Sequence, residues 1–429
     1  MYRLVCTFAT LVLLLAGPSW AQEPDSTGEQ AAVRAAFDSI LVANTYHLRL
    51  EGDTLRGDGA EWLVDRARDA HHFMIGERHG TAEIPAVAGA LYERIKPVGY
   101  DYAALEIGPF AAQHVNAALN RGGFDALADV ITRYDAAPFA FLSAREEARL
   151  AARIHEVGGT IWGLDQEFVS SLPLHLDALA AQAETPRERT AVSDIRSTMR
   201  EQWMDGNDPL GNADPAALHE LRTAFEARGD EDALARIDAM ITSNEIYAPY
   251  TRDTGSFFYS GIQRENYMKR TLVDHIRRVD AQTSQAPRVF YKFGGLHSGQ
   301  HPGADLDPRI SLGTFVSEWA RTLREEDSFH MLVDCNGGRN QGSGQGPGGE
   351  CTPFLTGMPK GASSPFSDAL SGEGITIIDL TDLRARFSDW DFLSKRERTM
   401  ILAVDAYMTV SNVHPSTPFD RFVDEKNTN

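Results

Sequence analysis

The chain has 429 residues, 42% of them hydrophobic and 24% charged, the composition of a globular protein rather than of a disordered or fibrous one. Its formal net charge of −20 disfavours nucleic acid and anionic membrane as partners, because neither attracts an acidic surface. That length admits two or three domains, or one large α/β domain carrying a helical insertion.

The first residues read as a secretory leader. Arg3 supplies a positive start, an apolar stretch runs from Leu4 through Leu11 to Ala16, and Ser19-Trp20-Ala21 offers small residues where a signal peptidase reads. The stretch is too short for a membrane span, and no later run approaches that length. Cleavage after Ala21 removes one positive charge and leaves −20 − 1 = −21. No cysteine follows Ala16-Gly17-Pro18, so no lipid anchor is expected. The expectation is a secreted or periplasmic product with no integral membrane segment once the leader is gone.

Residues 22–60 read as a polar and helical N-terminal segment, with helical spacing over Ala31–Asn44. From residue 61 to 429 a single domain is expected, opening with a short helix over Glu61–Ala70. Six apolar runs then read as buried strands: His72–Ile75, Tyr102–Ile107, Thr160–Leu164, Val289–Phe293, His330–Val333 and Ile375–Leu380. Helices Ile84–Ile95 and Ala144–Val157 lie between the early ones. The fold class this predicts is α/β, with a mostly parallel central sheet flanked by helices. Over roughly 172–278 the strand signal disappears and helical stretches follow one another (Arg187–Met204, Pro215–Ala227, Asp230–Glu245, Gln263–Val279). This reads as a helical insertion between the third and fourth predicted strands. Met400–Val410 reads as a late helix.

Cys6 leaves with the leader, so Cys335 and Cys351 remain, and an even count in an exported chain reads as a disulfide. The Gly-rich segment between them has little to pack, and the bridge is worth about 3 kcal/mol on a chain-entropy argument. Gly337–Gly349 lacks the Gly-Lys-Ser/Thr ending of a phosphate loop.

Chemistry gathers at strand ends. Glu77 and His79 follow the first predicted strand, Glu106 ends the second, Asp165 the third, and His297 follows the fourth. In open α/β sheets that edge is where ligands bind. The order of local motifs resembles the erythromycin esterase-like family: Gly76-Glu77-Arg78-His79-Gly80-Thr81-Ala82-Glu83, then Leu105-Glu106 with His114-Val115-Asn116 and Gly122-Gly123. Phe139-Ala140-Phe141, Gly163-Leu164-Asp165, Arg264-Glu265-Asn266-Tyr267-Met268 and Gly295-Leu296-His297 continue it. One residue separates Glu77 from His79 where esterases usually have two, a spacing similar to the ChaN-like branch, which includes haem-binding proteins and is related to Tiki-type metalloproteases.

The resemblance implies an exported hydrolase that attacks an ester or amide of a small molecule or peptide with activated water. On this reading Glu77, His79, Glu106 and His297 are catalytic, with His79 as general base and Glu77 or Glu106 orienting it. His297 would polarise the carbonyl or protonate the leaving group, while Arg264 and Asp165 would meet the substrate. Asp165 reads equally as a turn cap. The same two carboxylates and two histidines could hold a divalent metal. A haem- or iron-binding protein without hydrolytic activity is the competing expectation. No Gly-x-Ser-x-Gly elbow is present, Lys292 reads as a strand residue facing out or paired with an acid, and His71 and His72 read as exposed.

Overall fold

A computed structural model describes residues 26–134, 137–251, 257–300, 309–341, 348–356 and 364–419; the leader lies outside them. Nine strands form one mixed sheet: β1 (Thr45–Glu51), β2 (Thr54–Arg56), β3 (His72–Glu77), β4 (Tyr102–Leu105), β5 (Thr160–Gly163), β6 (Val289–Gly294), β7 (Ser328–Gly338), β8 (Ile375–Asp379) and β9 (Ala406–Val413), in the order β2-β1-β8-β9-β7-β3-β6-β4-β5. The segment from β9 to β5 is parallel throughout. β8 and the β1–β2 hairpin continue it antiparallel at one edge.

The helices are α1 (Ser26–Ala43), α2 (Asp58–Asp69), α3 (Glu83–Ile95), α4 (Pro109–Arg133), α5 (Arg145–Glu156), α6 (Leu172–Gln182), α7 (Pro186–Met204), α8 (Pro215–Glu226), α9 (Glu231–Thr251), α10 (Phe257–Thr283), α11 (Leu312–Trp319), α12 (Thr381–Ala385) and α13 (Lys395–Ala403). Between β5 and β6 the described elements are helical. Among the described residues no helix is long and apolar enough to cross a membrane.

Every residue of β3 and β6 is buried, as expected of central parallel strands covered on both faces. The period of two divides their side chains. Phe73, Ile75 and Phe290 join the core under α2 to α5, while Met74, Tyr291 and Phe293 pack against Met268, Leu272 and Ile276 of α10. Glu77 and Lys292 carry the first face's parity, which directs both toward α5. A separate core holds α6 to α9 together.

Four elements depart from the sequence-based expectation. Thr45–Glu51 and Thr54–Arg56 are strands inside the segment read as polar and helical; β1 is an outer strand whose one fully buried residue is Leu48, so it carries little apolar signal. The helix expected over Met400–Val410 stops at Ala403, and the rest is the buried strand β9. A short apolar run has no periodicity to tell helix from strand. α4 went unassigned; Gly122 and Gly123 break its helical geometry midway and blur the pattern. His72 is buried rather than exposed, bonded to the Tyr291 hydroxyl at 2.8 Å.

Cys335 and Cys351 form the expected disulfide, 16 residues apart in sequence, and tie β7 to the chain beyond the Gly-rich segment. Replacing Cys351 by Ser should lower unfolding free energy by about 3 kcal/mol. Urea denaturation under oxidising conditions measures this, and an unchanged midpoint would show that the bridge constrains nothing.

Candidate active site

The chain runs from β3 outward to β4 and β5, then returns to place β6 between β3 and β4. Register keeps the carboxyl ends level: Glu77 lies beside Gly294, and Leu105 lies beside both Lys292 and Gly163. Glu77, Glu106 and Asp165 are therefore delivered to one crevice, joined by His79 from the turn after β3 and His297 from the turn after β6. All the sequence-derived site residues meet here.

Glu106 is the hub, 4% exposed. His79 Nε2 lies 3.4 Å from its Oε2 and His297 Nε2 lies 3.5 Å from its Oε1. The Gly294 N–H donates to Oε2 at 2.6 Å, and Arg264 Nη2 donates to Oε1 at 2.8 Å. Each imidazole is held from behind by a second carboxylate. His79 Nδ1 is 2.8 Å from Glu77, and His297 Nδ1 is 2.6 Å from Glu265. The result is a continuous chain of side chains, Glu77–His79–Glu106–His297–Glu265. Arg264 also grips Asp165 through Nε at 2.9 Å and through Nη2, so Asp165 pairs with Arg264 as well as capping the Gln166 N–H.

Burial works against the charge on His79, but Glu106 and Glu77 outweigh it and raise the imidazole to about 10. His297 is raised as well: burial opposes its charge, and Glu106 and Glu265 favour it. Glu106 is held well below the usual carboxylate range; burial pushes it up, but His297, His79 and Arg264 win. At neutral pH His79 therefore rests as an imidazolium beside an ionised Glu106, and His297 is biased toward the same charged form.

Several contributors were not assigned roles from the sequence. Lys292 is 4% exposed and donates to Glu77 Oε1 at 2.6 Å and to both oxygens of Glu147 at 2.9 Å. Its signal was visible as the only charge in an otherwise apolar strand, which burial obliges to find a partner. Glu147 had no such signal, since an acid in the first turn of α5 reads as ordinary support for the helix dipole. Burial, reinforced by Glu77, raises Glu147 to about 7 despite Lys292. Phe141 stacks on His79 with ring centroids 4.1 Å apart. It does so at φ 50, a left-handed backbone conformation rare for an aromatic residue. Arg78 turns away and pairs with Asp334.

Gly294 makes the close approach possible. A Cβ there would stand 2.7 Å from His79 Nε2 and 3.4 Å from Glu106 Oε2. Gly294→Ala should push His79 off Glu106 and cut any turnover about tenfold or more, since misplacement by an ångström suffices for that. A Gly294→Ala protein with wild-type rates would show that the His79–Glu106 contact is dispensable.

Glu77, His79, Glu106, Phe141, Glu147 and Lys292 line a recess of ≈ 10 Å³, about the room one water needs. That does not fit a haem. Nor does the donor set fit a divalent metal, because Lys292 already pairs with Glu77 and Glu147, and Arg264 with Glu106 and Asp165. Among the described residues no group of three or more His, Cys, Asp or Glu is placed to hold an ion.

No family model matches the chain, and no curated protein sequence does. Solved structures do. A point mutant of erythromycin esterase EreC in its open conformation superposes with TM-score 0.57 at 14% identity, covering 89% of this chain and 99% of that one. A succinoglycan biosynthesis protein matches with TM-score 0.57 at 11% identity, covering 90% and 99%. The haem-binding ChaN of Campylobacter jejuni reaches TM-score 0.32 at 9% identity over 67% and 90%, too distant to weigh. The chain has an erythromycin esterase-like fold.

Proposed function

We propose that this chain is an exported hydrolase that cleaves an ester or amide bond with an activated water. The observation that carries the reading is the five-membered chain Glu77–His79–Glu106–His297–Glu265, in which both Nε2 atoms converge on one carboxylate. Nδ1 bonds to buried acids fix both ring orientations, which is how acid–base histidines are held in place.

The electrostatics favour a division of labour different from a neutral His79 base. His79 rests as imidazolium and His297 is biased toward that form, so both are set to act as donors. When a substrate carbonyl enters the crevice, an Nε2–H turns from Glu106 to the carbonyl oxygen and stabilises the charge that develops there. Glu106, relieved of that partner, gains proton affinity and takes the proton of the attacking water. The second imidazolium protonates the departing alkoxide or amine. Arg264 and Asp165 stand beside Glu106 and bound the substrate. Arg264 and Glu265 both come from α10, so the helical stretch between β5 and β6 acts as an insertion that completes the site and forms its wall.

The test is hydrolysis of p-nitrophenyl acetate and butyrate and of a peptide p-nitroanilide by the purified mature protein, beside His297→Asn. Turnover lost in the variant with the thermal midpoint kept supports the reading. Equal rates in both proteins sink it.

A further inference from the structure

We propose that the groove formed by the end of α4 with α6 and α7 is a binding site for an amphipathic organic anion, an apolar body bearing a carboxylate-like head. The cavity measures ≈ 650 Å³, within the roughly 300–1,000 Å³ of small-molecule sites. Its floor is apolar, with Leu176 and Met199 buried in the core of the helical lobe. Its wall leaves Trp203 58% and Met204 77% exposed. Large apolar side chains held in water beside a cavity mark a place something covers.

The charge on the rim runs against the rest of the molecule. The chain as a whole carries −20, yet the charged residues lining this cavity are Arg133, Arg196, Arg200 and Asp177. Arg196 is bonded to Asp177 at 2.7 Å, and Tyr134 also donates to that carboxylate, so the acid is satisfied. Among the described residues Arg133 and Arg200 have no hydrogen-bond or ion-pair partner. Two unpaired guanidinium groups offer the planar forks that bind carboxylates bidentately. A cation would meet like charge here, and a neutral apolar molecule would leave both forks unused. The site does not depend on the hydrolytic reading, since none of these residues lines the recess at His79.

Isothermal titration of the mature protein with decanoate and with 1-decanol tests this. Decanoate is expected to bind one saturable site, and 1-decanol about tenfold more weakly, because the charged head is worth at least that factor. The double variant Arg133→Gln/Arg200→Gln should weaken decanoate about tenfold and leave 1-decanol unchanged. Trp203→Ala should weaken both. These side chains are exposed, so the melting curves serve as a control for folding. No saturable heat with decanoate, equal affinity for both ligands, or an unaffected double variant would overturn the proposal. So would binding to phosphatidylglycerol vesicles without binding to decanoate.

Discussion

Replacing His79 by Asn is expected to lower hydrolysis by about 10²–10⁴, the usual worth of a positioned acid–base group, while the fold persists. Asn retains a polar donor near Glu77 but presents no acidic N–H to a carbonyl. Glu77 keeps Lys292 and Glu106 keeps Arg264 and the Gly294 N–H, so neither carboxylate is left bare. The wild-type rate should hold through neutral pH and fall as pH passes about 10, where His79 loses its proton. A rate that climbs through that range would instead identify neutral His79 as the base.

The same group makes stability depend on pH. The folded-state pKa of His79 is raised above its ordinary 6.5 to about 10. Its contribution is therefore complete below pH 6.5 and declines as pH rises toward 10, by up to about 1.4 kcal/mol for each pH unit. Urea midpoints measured from pH 6 to 10 should fall in the wild type and flatten in His79→Asn. Parallel profiles would mean that His79 is not paired as described.

Lys292→Met should be the most destabilising single change at the site, by about 3–5 kcal/mol. The methionine fills the space, but Glu77 and Glu147 then share a buried region without the ammonium that lies between them. Burial and Glu77 already raise Glu147 to about 7, and removing the cation raises it further. The loss should accordingly be larger at pH 8, where the buried Glu147 must either stay charged without its cation or hold a proton that the unfolded chain releases, than at pH 5, where it holds that proton readily. Adding Glu147→Gln should recover part of it at pH 8. A Lys292→Met protein that matches the wild-type urea midpoint at pH 8 would refute the buried triad.

The sequence by itself determined the six core strands, most of the helices, the cysteine pair and the carboxylates and histidines gathered at the strand ends. Each of these is a local property. A buried parallel strand must be an apolar run, an amphipathic helix must repeat at 3.6, and a charged residue closing such a run stands at the sheet's edge. Glu77, His79, Glu106, Asp165 and His297 were legible for that reason. What only the tertiary structure decided is non-local. The antiparallel β1–β2 edge carries only two buried leucines, Leu48 and Leu55, and β9 opens with an unbroken buried run whose lack of alternation does not tell strand from helix. The placement of β6 between β3 and β4 is not written in either strand, yet it brings Lys292 beside Glu77 and sets Gly294 against Glu106. Glu147 acquires its role solely by facing that lysine across α5. The proton affinities of His79 and Glu106 follow from distances of a few ångströms between segments far apart in sequence. Coulomb energies depend on separation in space and on burial, and folding fixes both.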